Sequence, residues 1–248
     1  MRSRLLRGTT AAVLATAVVL PMAAPGAQAA PAAASQSGEV SASTVQAIVA
    51  AAQAAYSAYQ QFAKAGMSVE EATRQILGAI NSAKTEIITH IDLVATAQAK
   101  ACARAAIIDF ADIERFTPDT LQAFARDATA CVTYVDSLLD AVVDPGAIDQ
   151  LGFALDAVGP VALIARGRAG LTTQGLADTL VHGNTTVISK LAPTCKGVYR
   201  EGMLEWYGCT AYNGDKGKDY SSVQVAADLA TANTSRPVAK ASRTVLLS

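Results

Sequence analysis

Apolar residues recur every three or four positions over most of the chain, which is the spacing of an amphipathic helix. The first such stripe begins near residues 41–43 and ends at Gly66, a suitable C-terminal glycine. A capping-box pattern at Ser68 opens a second helical region. No proline interrupts that region before residue 118. The pattern therefore allows one very long helix, or two helices with a break near Ala106.

Two further helix starts are marked by an N-cap residue followed by proline in the first turn, at 117–119 and at 144–145. The helix that begins at the second start contains Pro160, where we expect a kink. A fifth helical zone spans about 173–191. We expect the sequence His-Gly-Asn at 182–184 to break or bend it.

The pattern changes near residue 193. The segment 195–220 contains the only tryptophan of the chain and is rich in glycine and tyrosine. Short strands are predicted at 198–199 and 203–207. A short helix is predicted from about residue 221 to 232, and a basic tail follows it.

The chain has four cysteines, and an even number in an exported protein predicts two disulfides. Cys102 and Cys131 lie at equal distances from the predicted turn at 116–117. In an antiparallel helical hairpin both would lie at the same height on facing apolar stripes, where their Cα atoms can approach within about 4.4–6.8 Å. We therefore pair Cys102 with Cys131 and, by elimination, Cys195 with Cys209.

These elements predict an all-α protein. It is a multi-helix bundle built on a long disulfide-clamped helical hairpin, with a small disulfide-stapled irregular or β-hairpin element near the C-terminus. We divide the chain into a signal peptide at 1–29, a disordered mature N-terminus at 30–40, a helical domain at 41–192, and a disulfide-looped C-terminal segment with a short helix and tail at 193–248.

The first residues predict export. Three arginines precede an apolar run, and Ala27-Gln28-Ala29 is a small-x-small cleavage site, so we predict a secreted protein cleaved near Ala29. The alanine-rich composition is similar to that of bacterial secreted proteins. Cleavage removes those three arginines and changes the formal charge from −1 to −4. A net negative charge argues against a nucleic-acid-binding protein.

Four carboxylates cluster near the predicted turn, at Asp109, Asp112, Glu114 and Asp119. Metal sites in helical bundles usually add histidine to carboxylates, and this stretch has none. We interpret these acids as helix-end electrostatics and a solvated surface. The loop 213–219 imitates part of a calcium loop but lacks the required glutamate, so we predict a polar turn. The sequence therefore predicts no metal site and no cofactor.

The two histidines are His90 and His182. We expect His90 to lie at the edge of the apolar stripe, pointing away from Asp92, and His182 to lie at a helix terminus. The nucleophile-elbow pattern G-x-S-x-G is absent, and all four cysteines are assigned to disulfides. No catalytic residue is predicted.

The densest aromatic cluster lies in the C-terminal segment, and its members are Tyr199, Trp206, Tyr207, Tyr212 and Tyr220. Exposed, these residues would contact a ligand or a partner, because tyrosine and tryptophan anchor binding sites. Buried, they would form the small core of the disulfide loop. We favour burial and keep the five as candidate ligand or partner contacts.

The leading hypothesis is a secreted, non-catalytic helical protein that acts as a binding or interaction module of the bacterial cell surface or medium. Its partner would be an unknown protein or surface ligand.

The first alternative is a membrane-active, pore-forming-like protein that uses the apolar run 151–165. Asp156 interrupts this run, which is shorter than the about 20 residues of a membrane span, so membrane contact is not favoured. The second alternative is a secreted enzyme of unrecognised type.

Overall fold

A computed structural model describes residues 42–248, so the predicted signal peptide and the predicted mature N-terminus lie outside the described residues. Within this range the chain forms nine α-helices and one small sheet, and the predicted all-α class is confirmed. The helices are α1 (Ala42–Ala65), α2 (Val69–Ser82), α3 (Lys84–Leu93), α4 (Ala97–Phe110), α5 (Pro118–Ala141), α6 (Pro145–Arg168), α7 (Gln174–Lys190), α8 (Val223–Ala230) and α9 (Arg236–Leu247). The strands are β1 (Thr194–Arg200), β2 (Met203–Thr210) and β3 (Lys216–Asp219).

Helix α6 is the centre of the bundle. Every residue from 151 to 165 is buried, and helices α1–α5, α7 and α9 all pack against it. A helix that is apolar on all sides is stable in water only when it is surrounded, and α6 has this character. The helix runs unbroken through Pro160 to Arg168.

The predicted N-caps are confirmed, and each satisfies a backbone N–H group that would otherwise lack a partner. Ser68 Oγ accepts a hydrogen bond from the N–H of Glu71 at 3.1 Å. Thr117 Oγ1 accepts one from the N–H of Thr120 at 3.3 Å. Asp144 Oδ1 accepts one from the N–H of Ala147 at 2.8 Å. These three caps begin α2, α5 and α6.

The region from 68 to 117 is divided into three α-helices and a 3-10 turn at Ile113–Arg115. The breaks lie at Ala83, at 94–96 and after Phe110, so α4 continues through Ala106. The alanine-rich stripe did not indicate these breaks, because no proline or glycine marks them. The last of these helices, α4, forms the predicted hairpin with α5.

Both predicted disulfides are confirmed. Cys102 of α4 joins Cys131 of α5 with a Cα–Cα distance of 5.5 Å. Cys195 of β1 joins Cys209 of β2, and the two residues are direct cross-strand partners.

The expected break in α7 at residues 182–184 is wrong, because the helix continues to Lys190. Gly183 instead allows close helix packing. A Cβ atom at this position would lie 2.7 Å from Leu155 Cδ2 and 2.8 Å from Asp136 Oδ1. The glycine therefore accommodates side chains of α6 and α5 at the surface of α7.

The C-terminal segment forms an antiparallel sheet of order β1-β2-β3. The first two strands extend the predicted short strands, whereas β3 was not predicted because it has no apolar alternation. The expected basic tail instead contains α9, which packs on α1 and α7 and buries Val238, Ala239 and Ser242. The last helix thus returns the chain to the bundle.

We predict that Gly217→Ala separates α8 from the sheet. A Cβ atom on Gly217 would lie 1.9 Å from the carbonyl oxygen of Ala226 and 2.6 Å from the amide nitrogen of Ala230, and these backbone atoms cannot rotate away. Overpacking of this kind costs about 1–3 kcal/mol or more of the free energy of unfolding. Urea denaturation followed by circular dichroism measures the loss.

The matched control is Gly175→Ala in α7, where a Cβ atom meets nothing within 4 Å. This change should leave the stability unchanged or raise it by about 0.4–1 kcal/mol, because alanine lowers the entropy of the unfolded chain. Equal effects of the two substitutions would contradict the close approach at Gly217.

Candidate functional site

One face of the C-terminal sheet is covered by α8 and the other is not covered by any described helix. The backbone of α8 lies directly over Gly217, whose cross-strand partner is Cys209. Direct cross-strand partners share a face, and neighbours along a strand point to opposite faces. We call the opposite side the open sheet face, and its members are Thr194, Lys196, Val198, Trp206, Gly208, Thr210, Lys216 and Lys218.

The centre of the open sheet face is a lysine held between two aromatic rings. Lys218 Nζ lies 4.4 Å from the ring centroid of Trp206 and 4.7 Å from that of Tyr220. A cation at this distance is attracted by the negative face of each ring. Gly208 allows the indole to lie against the strand, since a Cβ atom there would be 2.5 Å from Trp206 Cζ3. The position of the ammonium group is therefore set by the two rings.

A cavity of about 570 Å³ lies on this face. Lys196, Lys216 and Lys218 line it together with Trp206, and no carboxylate is among its described lining residues. Two threonine hydroxyl groups, from Thr194 and Thr210, complete the polar lining. The cavity therefore combines positive charge, hydroxyl groups and one indole.

The expectation of an aromatic core under the disulfide loop is wrong. The buried residues there are small: Cys209, Ala211, Ala226, Ala227 and Ala230. Because α8 approaches the sheet so closely, little room remains for rings. Tyr199 and Tyr220 are 67% and 69% exposed, and Trp206 and Tyr207 are half-buried.

The five candidate aromatic residues do not form one site. Trp206 and Tyr220 meet through Lys218. Tyr207 packs with the small core on the α8 side of the sheet, and Tyr199 lies beside Gly197. Tyr212 points to the helical bundle. The sequence identified the aromatic residues but missed the lysines, because a lysine on a short strand has no distinctive spacing.

Tyr212 attaches the sheet to α6. Its hydroxyl donates a hydrogen bond to Asp149 Oδ2 at 2.8 Å. The backbone N–H of Ser235 donates to the other carboxylate oxygen at 2.5 Å. Burial raises the pKa of Asp149, and the bonds from Ser235 and Tyr212 oppose the rise. One carboxylate thus joins the centre of the bundle, the loop after β2 and the start of α9.

A second buried carboxylate lies deeper in the bundle. Asp156 of α6 is fully buried beside Tyr56 of α1, Asn184 of α7 and Ser242 of α9. We call these four residues the buried polar cluster. Their side-chain oxygens, and the amide nitrogen of Asn184, have no hydrogen-bond partner of normal geometry within the described part of the chain. Burial raises the pKa of Asp156 to about 7, although its three polar neighbours lower it.

His90 is part of the core, so its predicted place at the edge of the stripe is wrong. The residue is 3% exposed, and its ring lies 4.3 Å from that of Phe153 between centroids. Burial lowers its pKa to about 4, so the imidazole is neutral at pH 7. Asp92 points elsewhere, as expected, and accepts two hydrogen bonds from Arg104 at 2.7 Å each.

His182 lies within α7 and not at a helix terminus. Its Nδ1 atom is 2.9 Å from Asp136 Oδ1, and its Nε2 atom is 3.8 Å from Asp140 Oδ1. The hydrogen bond with Asp136 raises the pKa of His182. Carboxylates beside both nitrogens favour the charged imidazolium, whereas a general base must be neutral. The arrangement therefore acts as an ion pair between α5 and α7.

The four acids near the turn, Asp109, Asp112, Glu114 and Asp119, are exposed. Asp112 pairs with Arg115 at 3.0 Å, and Asp119 lies in the first turn of α5. Within residues 42–248, no group of three or more His, Cys, Asp or Glu side chains is placed to hold a metal ion. The predicted polar turn at 213–219 is confined to residues 213–215, because 216–219 form β3; Asp215 accepts hydrogen bonds from the side chains of Asn213 and Asn233.

We predict that Tyr212→Phe weakens the attachment of the sheet to the bundle. The substitution removes one of the two donors to a buried carboxylate, and hydrogen bonds to charged groups are worth about 1.5–3 kcal/mol. The free energy of unfolding should fall by this amount in urea denaturation. Tyr220→Phe is the matched control, because that side chain is 69% exposed. An equal loss in both variants would show that the Asp149 bond is not responsible.

We predict that Asp156 makes stability depend on pH. Its pKa is raised from about 3.9 in the unfolded chain to about 7 in the fold. The folded state therefore binds the proton more tightly, and stability is lost as pH rises between these two values. The full loss is about 4 kcal/mol.

His90 has the opposite effect, because its lowered pKa removes stability as pH falls from about 6.5 to about 4. The measurement is therefore the difference between the wild type and Asp156→Asn, in which the contribution of His90 cancels. The variant should be the more stable at pH 8, and its advantage should vanish near pH 4. A difference that does not change with pH would exclude this role of Asp156.

No protein-family model, no curated protein and no solved structure matches the chain. The function is therefore inferred from the residues of the chain itself. The open sheet face is the candidate site, because this part of residues 42–248 combines a cavity, uncovered positive charge and accessible aromatic rings.

Proposed function

We propose that the protein is a secreted, non-catalytic binding protein, and that the open sheet face is its binding surface. The observation that carries the proposal is the uncovered cavity that three lysines and Trp206 line. Binding sites are concave, and they combine aromatic area with a few placed polar groups. This face has those properties.

The open sheet face is mounted rigidly, which supports a role in binding. The Cys195–Cys209 disulfide joins β1 to β2 directly behind it, and α8 packs on the reverse side. Tyr212 and Asp149 fix the same sheet to α6. A surface whose groups are already positioned loses less conformational entropy when it binds a ligand.

Secretion is supported by the disulfides. All four cysteines are paired, and disulfides persist in oxidising compartments such as the extracellular space. The predicted leader, which lies outside the described residues, agrees with this placement. The proposed partner is therefore a component of the cell surface or the medium.

The membrane-active alternative would rely on α6. This helix has 24 residues, and the mean hydropathy of its most apolar window is 1.4. By length and composition, the helix could therefore cross a membrane. Its composition is equally that of a core helix, and 83% of the window is buried. Contact with lipid would require seven surrounding helices to leave α6, so we do not favour this alternative.

Within residues 42–248, the geometric candidate for the enzyme alternative is the pair of His182 and Asp136. Both ring nitrogens face carboxylates, which favours the charged form over a base. We therefore place binding ahead of catalysis.

The proposed binding surface can be tested by filling the cavity with a large side chain, because this test does not require the ligand to be known. Thr210→Trp places a large side chain at the cavity and leaves the three lysines in place. The oxidised wild-type protein should be retained on isolated cell envelopes or by components of its culture medium. The blocked variant should lose most of that retention, roughly tenfold or more, because a filled cavity excludes the ligand.

Met203→Trp is the matched control, because Met203 is 71% exposed and lies outside the cavity lining. It should bind like the wild type, and thermal unfolding should show that both variants fold. Equal retention of the two variants, or no retention of the wild type, would refute the proposal. Release of dye from lipid vesicles by the wild type would favour the membrane-active alternative instead.

A further inference from the structure

We infer that the ligand of the open sheet face is an acidic glycan, a polymer of sugar rings that carry negatively charged groups. This inference rests on the proposed binding function and adds the class of ligand. Three features carry it: local positive charge, ring-bearing side chains with hydroxyl groups, and the dimensions of the cavity.

The positive charge of the open sheet face is local. Residues 42–192 contain ten basic and 15 acidic side chains, whereas residues 193–248 contain seven basic and five acidic ones. Three of those seven, Lys196, Lys216 and Lys218, line one cavity. An anionic group is therefore attracted to this face, while the helical region repels it.

Lysines in this geometry suit isolated anionic groups. Ammonium groups form strong charge-assisted hydrogen bonds with carboxylate or phosphate oxygens. Lys218 is held between Trp206 and Tyr220, and Lys196 and Lys218 are both cross-strand partners of Gly208. Because residue 208 has no side chain, the indole of Trp206 lies against it, so the ring and the two lysines form one surface that a ligand can contact.

The remaining groups of the cavity suit sugar rings. The hydroxyl groups of Thr194 and Thr210 donate and accept hydrogen bonds, as sugar hydroxyls require. Trp206 is half-buried and Tyr220 is exposed, so both present aromatic surface beside the lysines. Amphipathic rings of this kind contact a ligand that is apolar on its faces and polar at its edges. The volume of about 570 Å³ is within the range of small-ligand sites, so it suits a short stretch of glycan.

Nucleic acid and anionic membranes fit less well. Proteins that bind nucleic acid usually have a strongly basic domain, whereas this chain has a pI of about 6.1. A membrane-binding surface needs protruding apolar side chains together with basic ones. Trp206, the largest side chain of this face, is half-buried and packs against Gly208.

The single tryptophan of the chain allows a direct test, because Trp206 lies in the proposed site. The probe is a carboxylated oligogalacturonate, compared with the methyl-esterified oligomer of the same length, which has the same rings without the charge. Titration of the oxidised wild-type protein should change Trp206 fluorescence saturably with the carboxylated oligomer. The esterified oligomer should bind at least roughly tenfold more weakly, because it lacks the charge-assisted hydrogen bonds.

Lys196→Gln and Lys218→Gln should each weaken binding of the carboxylated oligomer by roughly three- to tenfold, since each removes one charged donor. Lys64→Gln is the matched control, because Lys64 is exposed on α1, far along the chain from the sheet. It should bind like the wild type. Melting curves should show that all three variants remain folded.

Several outcomes would overturn the assignment of the ligand. In the titration, these are equal affinity for the two oligomers, no saturable change in fluorescence, or wild-type affinity in both Lys196→Gln and Lys218→Gln. Tighter binding to single-stranded DNA or to phosphatidylglycerol vesicles than to the oligogalacturonate would also overturn it. If Thr210→Trp still abolishes retention on cell envelopes, only the ligand class is wrong and the binding function stands. If retention does not depend on residue 210, the proposed function fails as well.

Discussion

The structure depends on the burial of α6. Its residues 151–165 have no side that can face water, so other helices must cover it all round. Neighbouring helices can approach α6 closely only where α6 itself has small residues. A Cβ atom on Gly159 would lie 2.1 Å from Tyr56 Oη, and one on Gly152 would lie 2.4 Å from Ser235 Oγ. The two glycines therefore allow α1 and the start of α9 to reach the central helix.

Two carboxylates on α6 are costly in such an interior, and the fold treats them differently. Asp149 is near one end of the helix and accepts hydrogen bonds from Tyr212 and Ser235, which connect the sheet and α9 to the core. Asp156 is in the middle, among polar groups of three other helices that do not form regular hydrogen bonds with it. The first carboxylate joins the sheet to the bundle, and burial raises the pKa of the second because its charged form is poorly solvated.

The open sheet face follows from how α8 covers the sheet. Because α8 lies directly on Gly217, the small side chains and the Cys195–Cys209 bridge fill the space between them. Trp206 and the three lysines are therefore left on the other side of the sheet. A three-stranded sheet with so small a core is stabilised by its disulfide and by its attachment to the bundle. The same attachments hold the candidate binding groups in place.

The sequence by itself determined the local features: the N-caps at Ser68, Thr117 and Asp144, the helical hairpin, and both disulfide pairs. These depend on neighbouring residues or on the symmetry of two cysteines about one turn, so a linear pattern contains them. Only the tertiary structure decided that His90 enters the core, that three other helices bring polar groups to Asp156, and that three lysines line one cavity with Trp206. Such arrangements depend on which surfaces pack together, and the packing of elements far apart in the chain leaves no periodic signal in the sequence.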